Sequence, residues 1–251
     1  MLPTLVVYHR LPNMIYNREI THASHPQHKL KFEYKEVPFK CDGCKESGIG
    51  GRYKCEYCDF DLHKYCALPN QSVSHPFYPN CNFQFFTKAP GSGMRYCNAC
   101  GKDILGFLYH CKLCGFDLHP CCYNLPHVLN DGEVKLHLYK KVSSPCCRCG
   151  RKGLSWSYRS ACKKYHLHVS CAKEMLAENW QELHHASTGK KSSTELYSRI
   201  PTLKGTVQNY NKNSKGGKVR VAGVALQSVI SAILGEPTAL IAGVVGNLMT
   251  K

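Results

Sequence analysis

Acidic residues are scarce in this 251-residue chain: 17 Asp and Glu stand against 33 Lys and Arg, a formal net charge of +16. That imbalance excludes an acidic buffer or a solvating acidic tail and favours anionic partners. Long apolar runs are lacking as well. The first 27 residues hold only Leu5–Tyr8, broken by His9 and Arg10 and without a small-residue cleavage site, so no secretory signal is expected. Near the other end, Val219–Leu234 and Thr238–Met249 are apolar, but each falls short of the about 20 residues a bilayer-spanning helix needs. Glu236-Pro237 separates the two. No phosphate-cradling loop, ββα finger or catalytic triad stands out; His184, His185 and Ser187 form no recognisable triad. Charged residues at 20% and a mean hydropathy of −0.34 exclude wholesale disorder.

Cysteine and histidine are abundant instead, 17 and 14. Without a secretory signal, such a cysteine count points to metal or redox chemistry in a reducing compartment rather than to a disulfide scaffold. The expected location is intracellular, in cytoplasm or nucleus or at a membrane periphery, and not secreted.

Three segments share one skeleton. The first reads Cys41-x2-Cys44, ten residues, Cys55-x2-Cys58, four residues, His63-x2-Cys66. The second repeats it without change as Cys97-x2-Cys100, Cys111-x2-Cys114 and His119-x2-Cys122. The third opens with Cys146-x2-Cys149 and closes with His168-x2-Cys171, but Ser160 replaces its third cysteine and Cys162 lies one place early. Tyr53, Tyr109 and Tyr158 hold matching places. Flanking each skeleton are outer ligands: His28 and His75 around the first, Cys81 and Asp131 around the second with His127 as rival, and His137 before the third.

A CxxC turn sets two thiolates at adjacent corners of a tetrahedron, and two turns, or one turn and a His-x2-Cys, complete four zinc ligands. Units of about 50 residues have too little apolar area to fold alone, and a structural zinc supplies on the order of 10 kcal/mol. Four protein ligands leave no position for a reacting water, so the expected zinc is structural and no enzyme activity is expected.

The pattern of His, CxxC, CxxC, His-x2-Cys and a terminal ligand resembles the C1 zinc domain, and in its short loop the divergent C1 repeats of plant cysteine/histidine-rich proteins. The resemblance spans Ser24 to Trp180. It implies small β-sheets, a short helix at each His-x2-Cys, and compact modules strung like beads, with interleaved ligand sets. Carried over, His28, Cys55, Cys58 and His75 would share one zinc, and Cys41, Cys44, His63 and Cys66 another. In the second unit Cys97, Cys100, His119 and Cys122 would hold one, and Cys81, Cys111 and Cys114 with Asp131 or His127 the other. Cys146, Cys149, His168 and Cys171 would hold the fifth, giving about five ions, with the remaining third-unit site, His137 and Cys162, empty or distorted. Lipid-binding C1 domains have a longer loop before the third cysteine, carrying Gln-Gly where this chain has Gly51-Arg52, Phe107-Leu108 and Trp156-Ser157. The diacylglycerol groove is therefore expected to be missing.

The expected architecture is a tandem of small metal-stabilised α+β modules: a tail over 1–24, units over 25–79, 80–132 and 133–185, a flexible basic linker over 186–218 and an apolar helical hairpin over 219–251. The function expected is that of a zinc-binding adaptor in intracellular signalling or stress response, acting on a protein partner. A thiol–disulfide oxidoreductase or redox sensor is the alternative, with Cys121, Cys147 and Cys162 as spare thiols. Further behind stand lipid or nucleic-acid binding through the basic surface, membrane contact through the C-terminal segment, and self-association through 219–251.

Overall fold

The computed structural model describes residues 18–130, 135–175 and 177. The basic linker and the apolar C-terminal segment expected from the sequence lie outside these residues.

Twelve strands form three four-stranded sheets, each an antiparallel meander in chain order. The first sheet comprises β1 (Glu19–His22), β2 (His25–Lys40), β3 (Ser47–Cys55) and β4 (Asp61–His63), followed by helix α1 (Lys64–Ala67). The second comprises β5 (Ser72–His75), β6 (Tyr78–Phe86), β7 (Leu108–His110) and β8 (Asp117–Leu118), followed by α2 (Pro120–Tyr123). The third comprises β9 (Val128–Asn130), β10 (Lys135–Tyr139), β11 (Ser157–Ser160) and β12 (His166–His168), after which residues 169–175 are helical. These are small β-rich modules with little helix, as the tandem repeat implies.

The repeat extends to register. Phe32, Tyr53 and Leu62 face one another across three strands; Phe85, Tyr109 and Leu118 do so in the second sheet, and Leu138, Tyr158 and Leu167 in the third. The tyrosine of each row is buried. Such cross-strand rows on one face are what hold a short sheet in register. Tyr109 and Tyr158 also donate from their hydroxyls to the carbonyls of Asn70 and Pro126, at 3.1 and 2.8 Å, tying each sheet to the segment entering it.

In place of beads on a string, the described residues share one continuous apolar core. The reason is a joint used twice. Phe107, in the loop before β7, is buried, and its backbone N–H donates to the carbonyl of Gly43 in the first unit's opening CxxC turn at 2.9 Å. Trp156, the matching residue before β11, is fully buried and donates in the same way to Ala99 in the second unit's turn at 2.8 Å. Each aromatic thus plugs the preceding unit. Gly106 approaches Gly43 so closely that a Cβ would lie 2.0 Å from the Gly43 carbonyl oxygen, so this crossing admits only glycine.

Candidate metal centres

The skeleton residues converge in five groups, in each of which the ligand atoms lie within 4.8 Å of one another. Cys41, Cys44, His63 and Cys66 form the first, buried throughout, and Cys97, Cys100, His119 and Cys122 form its equivalent. Cys146, Cys149, His168 and Cys171 make the third. Local structure explains the convergence. His63 and His119 sit at the N-caps of α1 and α2 in extended conformation, so a cysteine three residues on lands on the first helical turn facing the same point. Pro120 at the first helical position of α2 suits that start. The histidine amides donate back to the opening cysteines, His63 to Cys41 Sγ and His119 to Cys97 Sγ, both at 3.4 Å.

The fourth group departs from the expected set. His28, Cys55 and Cys58 are joined by His25, not by His75. His75 ends β5, in the second sheet, where its ring packs 4.6 Å from the ring of Trp156. The correction has a simple cause: strands ahead of each skeleton fold onto the skeleton that follows, so a residue after Cys66 belongs to the second unit. The sequence signal for this hairpin is the alignment of His25-Pro-Gln-His28 with Tyr78-Pro-Asn-Cys81 on their prolines. Cys81, Cys111 and Cys114 form the fifth group, with three members. Of the two fourth ligands weighed for it, Asp131 lies outside the described residues, and the His127 ring stacks on that of His75 at 5.9 Å.

The third unit brings no second set together among the described residues. Leu136 pairs with Ser160 as Leu30 pairs with Cys55, so His137 stands three places beyond the register position of His28 and on the opposite face. Ser160 Oγ accepts from the Tyr165 amide and lies 3.2 Å from Cys162 Sγ, with Cys162 exposed.

Distances and protonation both fit a divalent ion. Four donors around one zinc, at about 2.3 Å for sulfur and about 2.0–2.1 Å for nitrogen, stand about 3.5–3.8 Å apart. The Sγ to His Nδ1 distances are 3.4 Å for Cys44–His63, 3.5 Å for Cys100–His119, 3.4 Å for Cys149–His168 and 3.3 Å for Cys58–His28. The 3.7–4.0 Å spacings from Cys66, Cys122 and Cys171 to the same nitrogens complete the edges. All seventeen cysteines are free thiols. His25 turns Nδ1 toward Gln27 and leaves a buried Nε2 without a partner, as a ligand nitrogen would be.

In four of the five groups one thiol, Cys41, Cys97, Cys111 or Cys146, is held below the ordinary thiol pKa. Burial resists ionisation of Cys41, but the surrounding Cys44, Cys66 and His63 hold its pKa well below the ordinary thiol value. Burial first, then the thiols of Cys121 and Cys41, push Cys44 well above it, and burial with Cys41 does the same to Cys66. Cys146 falls to about 4, first through hydrogen bonding from Cys171, whose own pKa rises. Burial and the Cys114 thiol lift Cys81 to about 12, while hydrogen bonds from Cys114 outweigh burial at Cys111 and lower it. A group that supports a single thiolate unaided needs a cation before the rest can ionise.

Cys121, a spare thiol in the sequence, is buried between the first two units. The Lys173 ammonium donates to it at 3.6 Å and also pairs with Glu46. Hydrogen bonds from Cys122 and Cys44 hold its pKa well below the usual thiol range. Lys173, from the third unit, thus neutralises charge at the junction of the other two; nothing in the repeat spacing announced that role. Cys147 is half-buried and accepts from the His166 amide at 3.3 Å.

Residues 23–67 and 74–123 each match the C1 domain family. A 51-residue stretch is 41% identical to part of probable nucleoredoxin 1 of Arabidopsis thaliana, covering 20% of this chain and 9% of that protein's length. No solved structure matches. The two matched segments coincide with the first two sheets and their ligand sets, and the Cys/His clusters in them are of the kind with which C1 domains bind zinc. Two segments of this cysteine/histidine-rich chain, residues 23–67 and 74–123, are thus C1-type domains.

Proposed function

We propose that this chain is a zinc-held interaction protein, an adaptor whose metal ions are structural and whose surface loops meet a protein partner. The observation carrying it is the closed geometry of four ligand sets: each supplies four protein donors at tetrahedral spacing, which leaves no corner for water or substrate. Zinc in such a set stabilises the module and takes no part in chemistry. Each of the five CxxC pairs contributes to a ligand group, and four of those groups contain histidine, which sets the thiol–disulfide reading behind the structural one.

Contact surface for a partner is present on the loops. Leu105 and Leu154, at matching places in the loops before β7 and β11, are exposed. Tyr57 and Leu113 stand exposed at matching tips of the second CxxC turns. A partner with small apolar pockets fits these isolated side chains better than a broad greasy face would. The signalling or stress role belongs to this same proposal, as does an intracellular location. Among the described residues no helix is long and apolar enough to cross a membrane. The test is elemental analysis of the purified full chain beside an insulin-reduction assay. Four tightly held zinc ions, matching the four complete sets, with no disulfide reductase activity support the proposal; metal-free protein with reactive dithiols overturns it.

A further inference from the structure

The first two units agree so closely that their second ligand groups can be compared corner by corner. His25 pairs across the hairpin turn with His22, precedes His28 by three residues, and stacks on Phe60 with ring centroids 4.4 Å apart. Tyr78 pairs across its turn with His75, precedes Cys81 by three residues, and lies on Phe116 at 4.7 Å. A phenol therefore stands where the first unit has its fourth ligand. Its oxygen is engaged elsewhere: Trp156 Nε1 of the third unit donates to it at 3.3 Å, and the Lys140 ammonium sits 4.1 Å from the ring centroid. The second unit has exchanged a metal corner for a contact with the third.

Three sulfurs remain. Cys81 and Cys111 are buried and Cys114 is half-buried, which leaves one approach from solvent. Cys81 and Cys114 Sγ lie 2.7 Å apart, and the three sulfurs face one point. No other Cys, His, Asp or Glu among the described residues joins the group.

Zinc fits such a group poorly. It calls for four protein donors in a closed structural site, and this group offers three. A soft centre satisfied by three sulfurs does not meet that objection. With arsenous acid, three As–S bonds form and three As–O bonds break. The three thiol protons leave with the three hydroxyls as three waters, no oxidation state changes, and the product is neutral.

We propose that Cys81, Cys111 and Cys114 form a three-sulfur site for a soft, three-coordinate thiophilic ion, trivalent arsenic being its simplest probe, and not a fifth tetrahedral zinc site. The proposal rests on the zinc reading of the other four groups, and the two can fail separately.

The experiment titrates the full zinc-loaded chain with arsenite in a non-thiol reductant, desalts it, and measures arsenic and zinc in the same sample. One arsenic per chain with four zinc retained is the expected result. Cys81→Ser and Cys114→Ser should each weaken arsenic uptake at least about tenfold while keeping the zinc of the four complete sets, which shows that those variants fold. Cys121→Ser should bind arsenic as the parent does. Five zinc per chain, with the fifth lost in Asp131→Ala and no arsenic bound, overturns the proposal, because Asp131 would then complete a tetrahedron. Four zinc and no arsenic also overturns it and leaves the zinc reading intact. Arsenic that expels zinc from the four complete sets, or a chain holding fewer than four zinc, contradicts the zinc reading itself.

Discussion

His25 and His75 differ by which sheet their hairpin joins, and that decides which one can reach a metal. His25 shares a group with His28, Cys55 and Cys58, whereas His75 lies against Trp156 and Phe77 in the second sheet. His25→Ala should remove one zinc per chain by elemental analysis, while His75→Ala should leave the zinc content unchanged. His75 has a different signature. Burial first, then the nearby charges of His127 and Lys140, lower its pKa from 6.5 to about 4. Between those values the unfolded chain takes up the proton and the folded one does not, so stability present above pH 6.5 falls as the pH drops toward 4. His75→Gln should flatten that part of the acid slope in the melting temperature, measured against the parent at each pH. The inner ligands were legible from the sequence because the repeated spacing marks them and the C1 resemblance implies their grouping. Among the outer ligands His28 and Cys81 were legible as well, whereas His25 in place of His75 was not, since that choice depends on which way each hairpin folds.

At the level of elements, the loop before the third strand of each sheet does more than connect ligands. In the sequence Phe107 and Trp156 stand where a lipid-binding loop would have Gln-Gly. In the structure they are the plugs that fasten one unit to the next. Gly106→Ala places a methyl against the Gly43–Cys44 backbone, where no flexible side chain can give way. It should cost about 1–3 kcal/mol, read as a lower denaturation midpoint with zinc content unchanged. Trp156→Ala empties a fully buried site and should cost about 3–5 kcal/mol. Within β2 the alternation of Leu30, Phe32 and Tyr34 matches the pleat and is readable from the sequence. The joint itself was hidden, since a lone aromatic in a glycine-containing loop carries no periodic signal.

Taken whole, the described part of the molecule is one packed body in which metal sets and aromatic plugs alternate. The cysteine and histidine skeleton correctly announced tandem C1-like modules; their packing into one core depends on contacts between residues such as Trp156 and Tyr78, 78 positions apart, which no local pattern displays. The buried junction of Cys121, Lys173 and Glu46 ties all three units together, so loss of metal from one set should loosen its neighbours. The most direct measurement is a thermal melt of the full chain, followed by tryptophan fluorescence and near-ultraviolet circular dichroism, before and after zinc is removed by a chelator under reducing conditions. If zinc holds the modules, the metal-free chain loses its cooperative transition and the buried Trp156 signal, and both return when zinc is restored. A metal-free, fully reduced chain that still melts cooperatively with its near-ultraviolet signal unchanged would contradict it.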